Sequence, residues 1–328
     1  MALNRSLLRN IYFHDATNPD EILGGFFQNG SITEANFLGM LEILLIVEGN
    51  PLRVQERVSH HIVSRTDTPL KIGVYDIYCD ASIQVSNEPW IPRSISLNTT
   101  ARDDRFCHEV RNRDRRCVIS GVIIPEISIQ ANNWTGFQPA HIIPPEHESL
   151  WTQCDYGRGI TDIDDTLGTP KIDSCQNGFL LDSCTRTRFE EYLISVNPDD
   201  NYKIVVFDID IFRLDGRILD PVCRNPDDPH RVSDQLLRWH FRQSILVNLR
   251  GAGEPIFEHD FPPGHDMVGE ILAGPYGQER FELEIASRLR GSPKDNHFRH
   301  REYSCRLNDT NRDYLPEAWQ DPKTDLAS

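Results

Sequence analysis

The longest uninterrupted apolar run in the sequence is Ile43–Val47. A membrane-spanning helix needs about 20 consecutive apolar residues, so no stretch of the chain qualifies. The core must instead be assembled from short amphipathic pieces whose apolar residues recur at helical or strand spacing. Residues 33–48 read as a helix. Thr33 is placed to cap it, Leu38, Leu41, Leu45 and Ile46 share one face, and Gly49 ends it before Pro51. Leu70, Ile72, Val74 and Ile77 mark a strand over 70–79, and Val118–Ile129 reads as short strands and hairpins. Residues 203–211 form the clearest strand. Ser233 caps a helix to about Leu249, with a stripe of Leu236, Leu237, Phe241, Ile245 and Leu249 and a closing Gly251. A further helix is expected over 276–290, and 292–328 read as a polar tail. No internal repeat, G-x-G-x-x-G or Walker A sequence is present, so the pattern predicts an α+β fold rather than alternating βαβ units.

Charge narrows the function. The 328 residues carry 34 Lys and Arg against 50 Asp and Glu, a net charge of −16. Proteins that bind nucleic acid derive much of their affinity from neutralising phosphates, so no nucleic-acid partner is expected. Six arginines between 102 and 116, diluted by four acids, read as a solvated charged linker. Residues Met1–Asn10 lack the apolar stretch of a secretory signal, and none of the eight cysteines forms a C-x-x-C pair. A cytoplasmic protein with scattered reduced thiols is the expectation.

The most informative stretch is 115–207. It runs Arg-Arg-Cys-Val-Ile-Ser-Gly (115–121), Phe-Gln-Pro-Ala-His-Ile-Ile-Pro-Pro (137–145), Cys-Gln-Asn-Gly-Phe-Leu-Leu (175–181) and Thr-Arg-Thr-Arg-Phe-Glu-Glu-Tyr (185–192), then the strand at 203. This order resembles the fungal branch of the HNH endonuclease family. The resemblance implies a ββα unit around one divalent metal. A first His activates water, a central Asn orients the base or braces the loop, and a last His at the helix start ligates the metal. The base maps to His141 and the Asn to Asn177. The third position departs from the pattern, because three residues before Phe189 stands Arg186. A guanidinium stays protonated and offers no lone pair, so it cannot ligate a metal. The residue before the base, often a second ligand, is Ala140, which leaves Glu190 alone. From His141 to Asp199, eleven acids face four bases, a local balance of −7 where a nuclease needs basic charge.

The expected architecture is an HNH-like ββα unit embedded in a larger single α+β body. Its parts are an N-terminal α+β wrap (1–114), the ββα core (115–207), a C-terminal strand and helices (208–291), and the tail. The resemblance implies a repurposed function: a cofactor-independent cyclase or isomerase working without metal. The resemblance further implies fungal secondary metabolism, with a norbornene-forming Diels–Alderase as the specific type and a terpenoid or polyketide as the hydrophobic substrate. His141, Asn177 and Arg186 are the candidate hydrogen-bond donors or acid–base groups. Trp134, Phe137, Trp151 and Glu190 are the candidate substrate contacts. His141 and Asn177 also have structural readings, as a core histidine and a loop brace. A metal-dependent HNH endonuclease and a non-catalytic interaction protein on the same fold are the alternatives.

Overall fold

The computed structural model describes residues 8–47, 52–88, 90–91, 93, 103–163, 171–251, 266–273 and 281. The helix expected at 276–290 (apart from residue 281) and the tail at 292–328 lie outside these.

The chain opens with β1 (Ile11–Asp15) and β2 (Asn18–Phe26), followed by α1 (Glu34–Leu44). Then come β3 (Leu45–Val47), β4 (Arg53–Glu56), β5 (Gly73–Tyr78) and β6 (Ile83–Val85). β1, β2, β4 and β5 form a sheet of order β2-β1-β5-β4, in which β1 and β5 run parallel and the outer pairs antiparallel. The Thr33 cap of α1 is present as a capping box with Asn36. The helix is shorter than its apolar spacing predicts. At Leu45 the backbone turns extended, and β3 pairs antiparallel with β6. The β5 strand is also shifted from the expected alternation: Tyr75 and Ile77 are buried, whereas Ile72 is 65% exposed.

The middle of the chain holds α2 (Asp103–Asp114), α3 (Glu126–Gln130), β7 (Phe137–His141), α4 (Glu148–Gln153), β8 (Gly178–Asp182) and α5 (Ser183–Glu190). Two expectations are corrected here. The arginine-rich stretch is a helix rather than a linker: Phe106 and Val110 are buried, and the Arg113–Asp114 pair is almost fully buried. Arg113 also donates to the carbonyls of Cys175, Gly178 and His230, which clamps α2 onto the start of β8. The β-branched run at 118–129 forms only one bridge, Arg116 with Ile123, before Pro125 leads into α3.

The C-terminal part contains β9 (Ile194–Asn197), β10 (Lys203–Val206), α6 (Asp234–Leu249) and α7 (Met267–Ala273). β10 stops at Val206, short of the expected 211, because the Asp215 carboxylate accepts from the Val206 N–H and Asp210 accepts from Asp215 N. These side-chain bonds compete with the ladder and turn the chain. α6 matches the expected helix, but it is buried almost all round rather than along one stripe. Its polar groups are matched internally. His240 Nδ1 meets Ser195 Oγ at 2.8 Å, its Nε2 meets the Phe189 carbonyl at 3.0 Å, and Asn248 donates to the Tyr192 carbonyl.

One core packs the ββα segment against β9, β10 and the first half of α6. A second packs the N-terminal sheet and α1 against Phe241, Ile245, Leu246 and Leu249 of α6. β10 faces both, with Ile204 and Val206 in the first and Val205, followed by Phe207 just past the strand, in the second. No described helix is long and apolar enough to cross a membrane. Cys154 is disulfide-bonded, which corrects the reading of all eight cysteines as thiols.

Candidate functional site

β7, β8 and α5 form a ββα unit. β7 and β8 pair antiparallel, with Ala140 opposite Phe179 and His141 opposite Gly178. Because successive strand residues point to opposite faces, Ala140 and His141 part company. Ala140 is buried in the core, whereas His141 lines a cleft with Arg93, Pro139, Pro144, Pro145, Glu146, Arg186 and Glu190.

Asn177 determines where the His141 loop goes. Its Oδ1 accepts from Ile143 N at 2.9 Å, and its Nδ2 donates to the carbonyls of Ile143 and Ile172, both at 2.8 Å. The side chain is buried and committed to the backbone, the loop-brace geometry. Gly178 follows because nothing larger fits: a Cβ there would lie 2.4 Å from Phe106 Cζ and 2.6 Å from the Ala140 carbonyl.

Phe106 stacks on the His141 ring with centroids 3.7 Å apart and planes 11° from parallel. The Nε2 atom of His141 is buried without a hydrogen-bond partner. Burial, and then the nearby Arg93 and Arg186 charges, push the His141 pKa down to about 3, so the ring is neutral at pH 7. Arg93 donates to the carbonyls of His141 and Ile142 and lies over the rings of Phe189 and Tyr192, at 5.5 and 5.8 Å.

Arg186 projects from α5, whose N-terminus is capped by Asp182 accepting from Thr185 N. Its Nε donates to Glu190 Oε1 at 2.8 Å, one helical turn on, and its Nη1 donates to Gln138. The two positions from which the HNH pattern would hold a metal are therefore a core alanine and a guanidinium already paired with the remaining carboxylate. This donor set does not fit a divalent ion. Among the described residues, no group of three His, Cys, Asp or Glu side chains is placed to hold one.

The cleft brings together His141, Arg186 and Glu190 of the sequence-derived candidates. Asn177 lies behind it. Trp134 bonds Asn132 Oδ1 through its indole N–H and sits under Arg111. Phe137 packs between two cores. Trp151 is buried and lines a separate hollow of about 320 Å³ with Asp155, Arg158 and Lys171. Arg93 and Phe106 were missed. Arg93 lies outside every motif, and Phe106 sits inside a run that reads as charged linker, so neither carries a local signal.

Residues 117–197 match the family model described as HNH endonuclease, and they span the ββα unit. Residues 8–84 match a model described as Domain of unknown function (DUF8573). No curated protein and no solved structure is significantly similar to the chain. The site lies in the segment that is similar to HNH endonucleases, with Ala140 and Arg186 at two positions from which the HNH pattern would hold a metal.

Proposed function

We propose that the chain is a metal-independent enzyme on an HNH frame, a cofactor-free cyclase or isomerase acting on a hydrophobic small molecule. The observation that carries this reading is the replacement pattern: the base position His141 remains in the cleft, while the ligand positions are Ala140 and the Arg186–Glu190 pair. Phosphodiester hydrolysis of the HNH type needs a cation that stabilises the leaving oxygen. Cyclisation does not. It needs the reacting carbons held in a near-attack pose and a hydrogen-bond donor on an activating oxygen. Arg93, Arg186 and the neutral His141 supply the polar end of such a site.

The cleft encloses about 50 Å³, whereas sites that swallow a drug-sized ligand run to about 300–1,000 Å³. In this reading the cleft seats one polar group, and the apolar body of the substrate lies outside it. A Diels–Alderase acting on a terpenoid or polyketide of fungal secondary metabolism is the specific form, resting on the sequence resemblance alone.

The test is turnover of the full chain with polyene carbonyl compounds in EDTA. Acceleration over the spontaneous reaction, lost in His141→Gln, supports the reading. Plasmid nicking that requires magnesium, manganese or zinc and vanishes in His141→Gln replaces it with the nuclease. A non-catalytic role is favoured by one observation: Asn177 and Arg93 spend their hydrogen bonds on backbone groups. Absence of both activities supports that role.

A further inference from the structure

We propose that the His141 cleft is a carboxylate-binding site, with Arg93 and Arg186 as its cations and His141 as the third polar contact. This rests on the reading of the cleft as a small-molecule site and names the handle by which the molecule is held.

Two guanidinium groups line one small hollow and both are already positioned. Arg93 is pinned to two backbone carbonyls and lies over two aromatic rings. Arg186 is tied to Glu190 through Nε and to Gln138 through Nη1, which leaves Nη2 without a hydrogen bond. A cation fixed in advance loses little side-chain entropy when a ligand arrives. The remaining Nη2 of Arg186 can donate a charge-assisted hydrogen bond to one carboxylate oxygen.

His141 is the independent sign of a missing partner. Its ring lines the same hollow, and its buried Nε2 has none. Buried polar atoms are normally satisfied, and a ligand is one way to satisfy this one.

Size and charge select the anion. A single water needs about 10–15 Å³ of cavity space, so a hollow of about 50 Å³ takes a few non-hydrogen atoms, such as a carboxylate head, and little more. Glu146 and Glu190 line the same hollow. They repel a phosphate group, with a charge of about −1.5 to −2 at pH 7, more than a carboxylate monoanion.

The test is an NMR titration of the full chain at low salt. It follows the His141 ring resonances, assigned by their loss in His141→Gln. The probes are hexanoate, its neutral isostere hexanamide, and inorganic phosphate. The expected result is a saturable shift with hexanoate and none with hexanamide. Arg186→Gln weakens hexanoate about ten-fold or more, the scale of one charge-assisted hydrogen bond. Glu190→Gln tightens it roughly two- to five-fold, because the competing internal carboxylate is gone. Arg186→Lys retains part of the affinity, and together with Glu190→Gln it carries the test if Arg186→Gln does not fold. Equal binding of hexanamide, tighter binding of phosphate, a non-saturating response or unchanged affinity in Arg186→Gln each overturns the proposal. Turnover of neutral polyenes without hexanoate binding refutes this inference alone. Hexanoate binding without any turnover refutes the enzymatic reading alone.

Discussion

His141 owes its neutrality first to burial against Phe106 and then to two guanidinium groups that oppose a third positive charge. Arg186→Gln removes one of those charges and should raise the His141 pKa from about 3, while burial keeps it below 6.5. A histidine NMR titration reads this directly, and an unmoved pKa counts against Arg186 facing the ring. His240 is also held neutral, by burial in the core first and by Arg93 second. Both histidines have folded pKa values below the unfolded value of about 6.5, so below that pH the unfolded chain takes up protons that the native chain does not. Stability is therefore full above pH 6.5 and falls as the pH drops, for His141 until about 3, at about 1.4 kcal/mol per pH unit per histidine. Urea titrations between pH 6 and 4 should show His141→Gln flattening this slope by about that amount. His141 and Arg186 were legible as single letters in a motif. Arg93, which reaches the same ring from outside the motif, was not.

At the scale of elements, the ββα unit depends on side chains that serve backbone groups. Asn177→Ala leaves the Ile143 N–H and two carbonyls without partners. It should cost about 3–5 kcal/mol, measured as a lowered urea midpoint. A loss under about 1 kcal/mol would mean that water replaces the brace. The Arg113–Asp114 pair holds α2 against β8, with Asp114 Oδ2 accepting from Leu180 N at 2.7 Å. Arg113→Ala strands a buried carboxylate and should also cost about 3–5 kcal/mol. The double variant Arg113→Met, Asp114→Leu should recover part of that cost, because it removes both charges together. Thermal or urea unfolding of Arg113→Met, Asp114→Leu and the double variant gives the coupling directly. Helix α6 and strand β10 were visible through apolar spacing. The ends of α1 and β10 were not, because β6 pairing at Leu45 and the Asp215 carboxylate at Val206 come from distant residues.

For the whole molecule, α6 and β10 are shared between the two cores, so the HNH-type segment is not sealed by itself. Expressed alone, residues 115–251 would expose Val205, Phe207, Phe241 and Ile245, which pack against the N-terminal sheet and α1 in the intact chain. That fragment should be molten or aggregated, with dye-binding apolar surface and weak near-ultraviolet circular dichroism. A cooperative, monomeric fragment would show that the N-terminal sheet is dispensable. Arg9 reinforces the union by donating to the carbonyls of Asn248, Arg250 and Gly251 at the end of α6.

The amino-acid sequence determined by itself the α+β class, the order of the ββα motif and the presence of Ala140 and Arg186 at two positions within it. Each of these depends on residue type and near-neighbour spacing. Only the tertiary structure decided that the arginine-rich stretch is a helix braced by a buried ion pair. It also brought Arg93 and Phe106 to His141 and left a cleft of about 50 Å³ beside it. Those outcomes are set by contacts between residues far apart in the chain, and local periodicity carries no information about them.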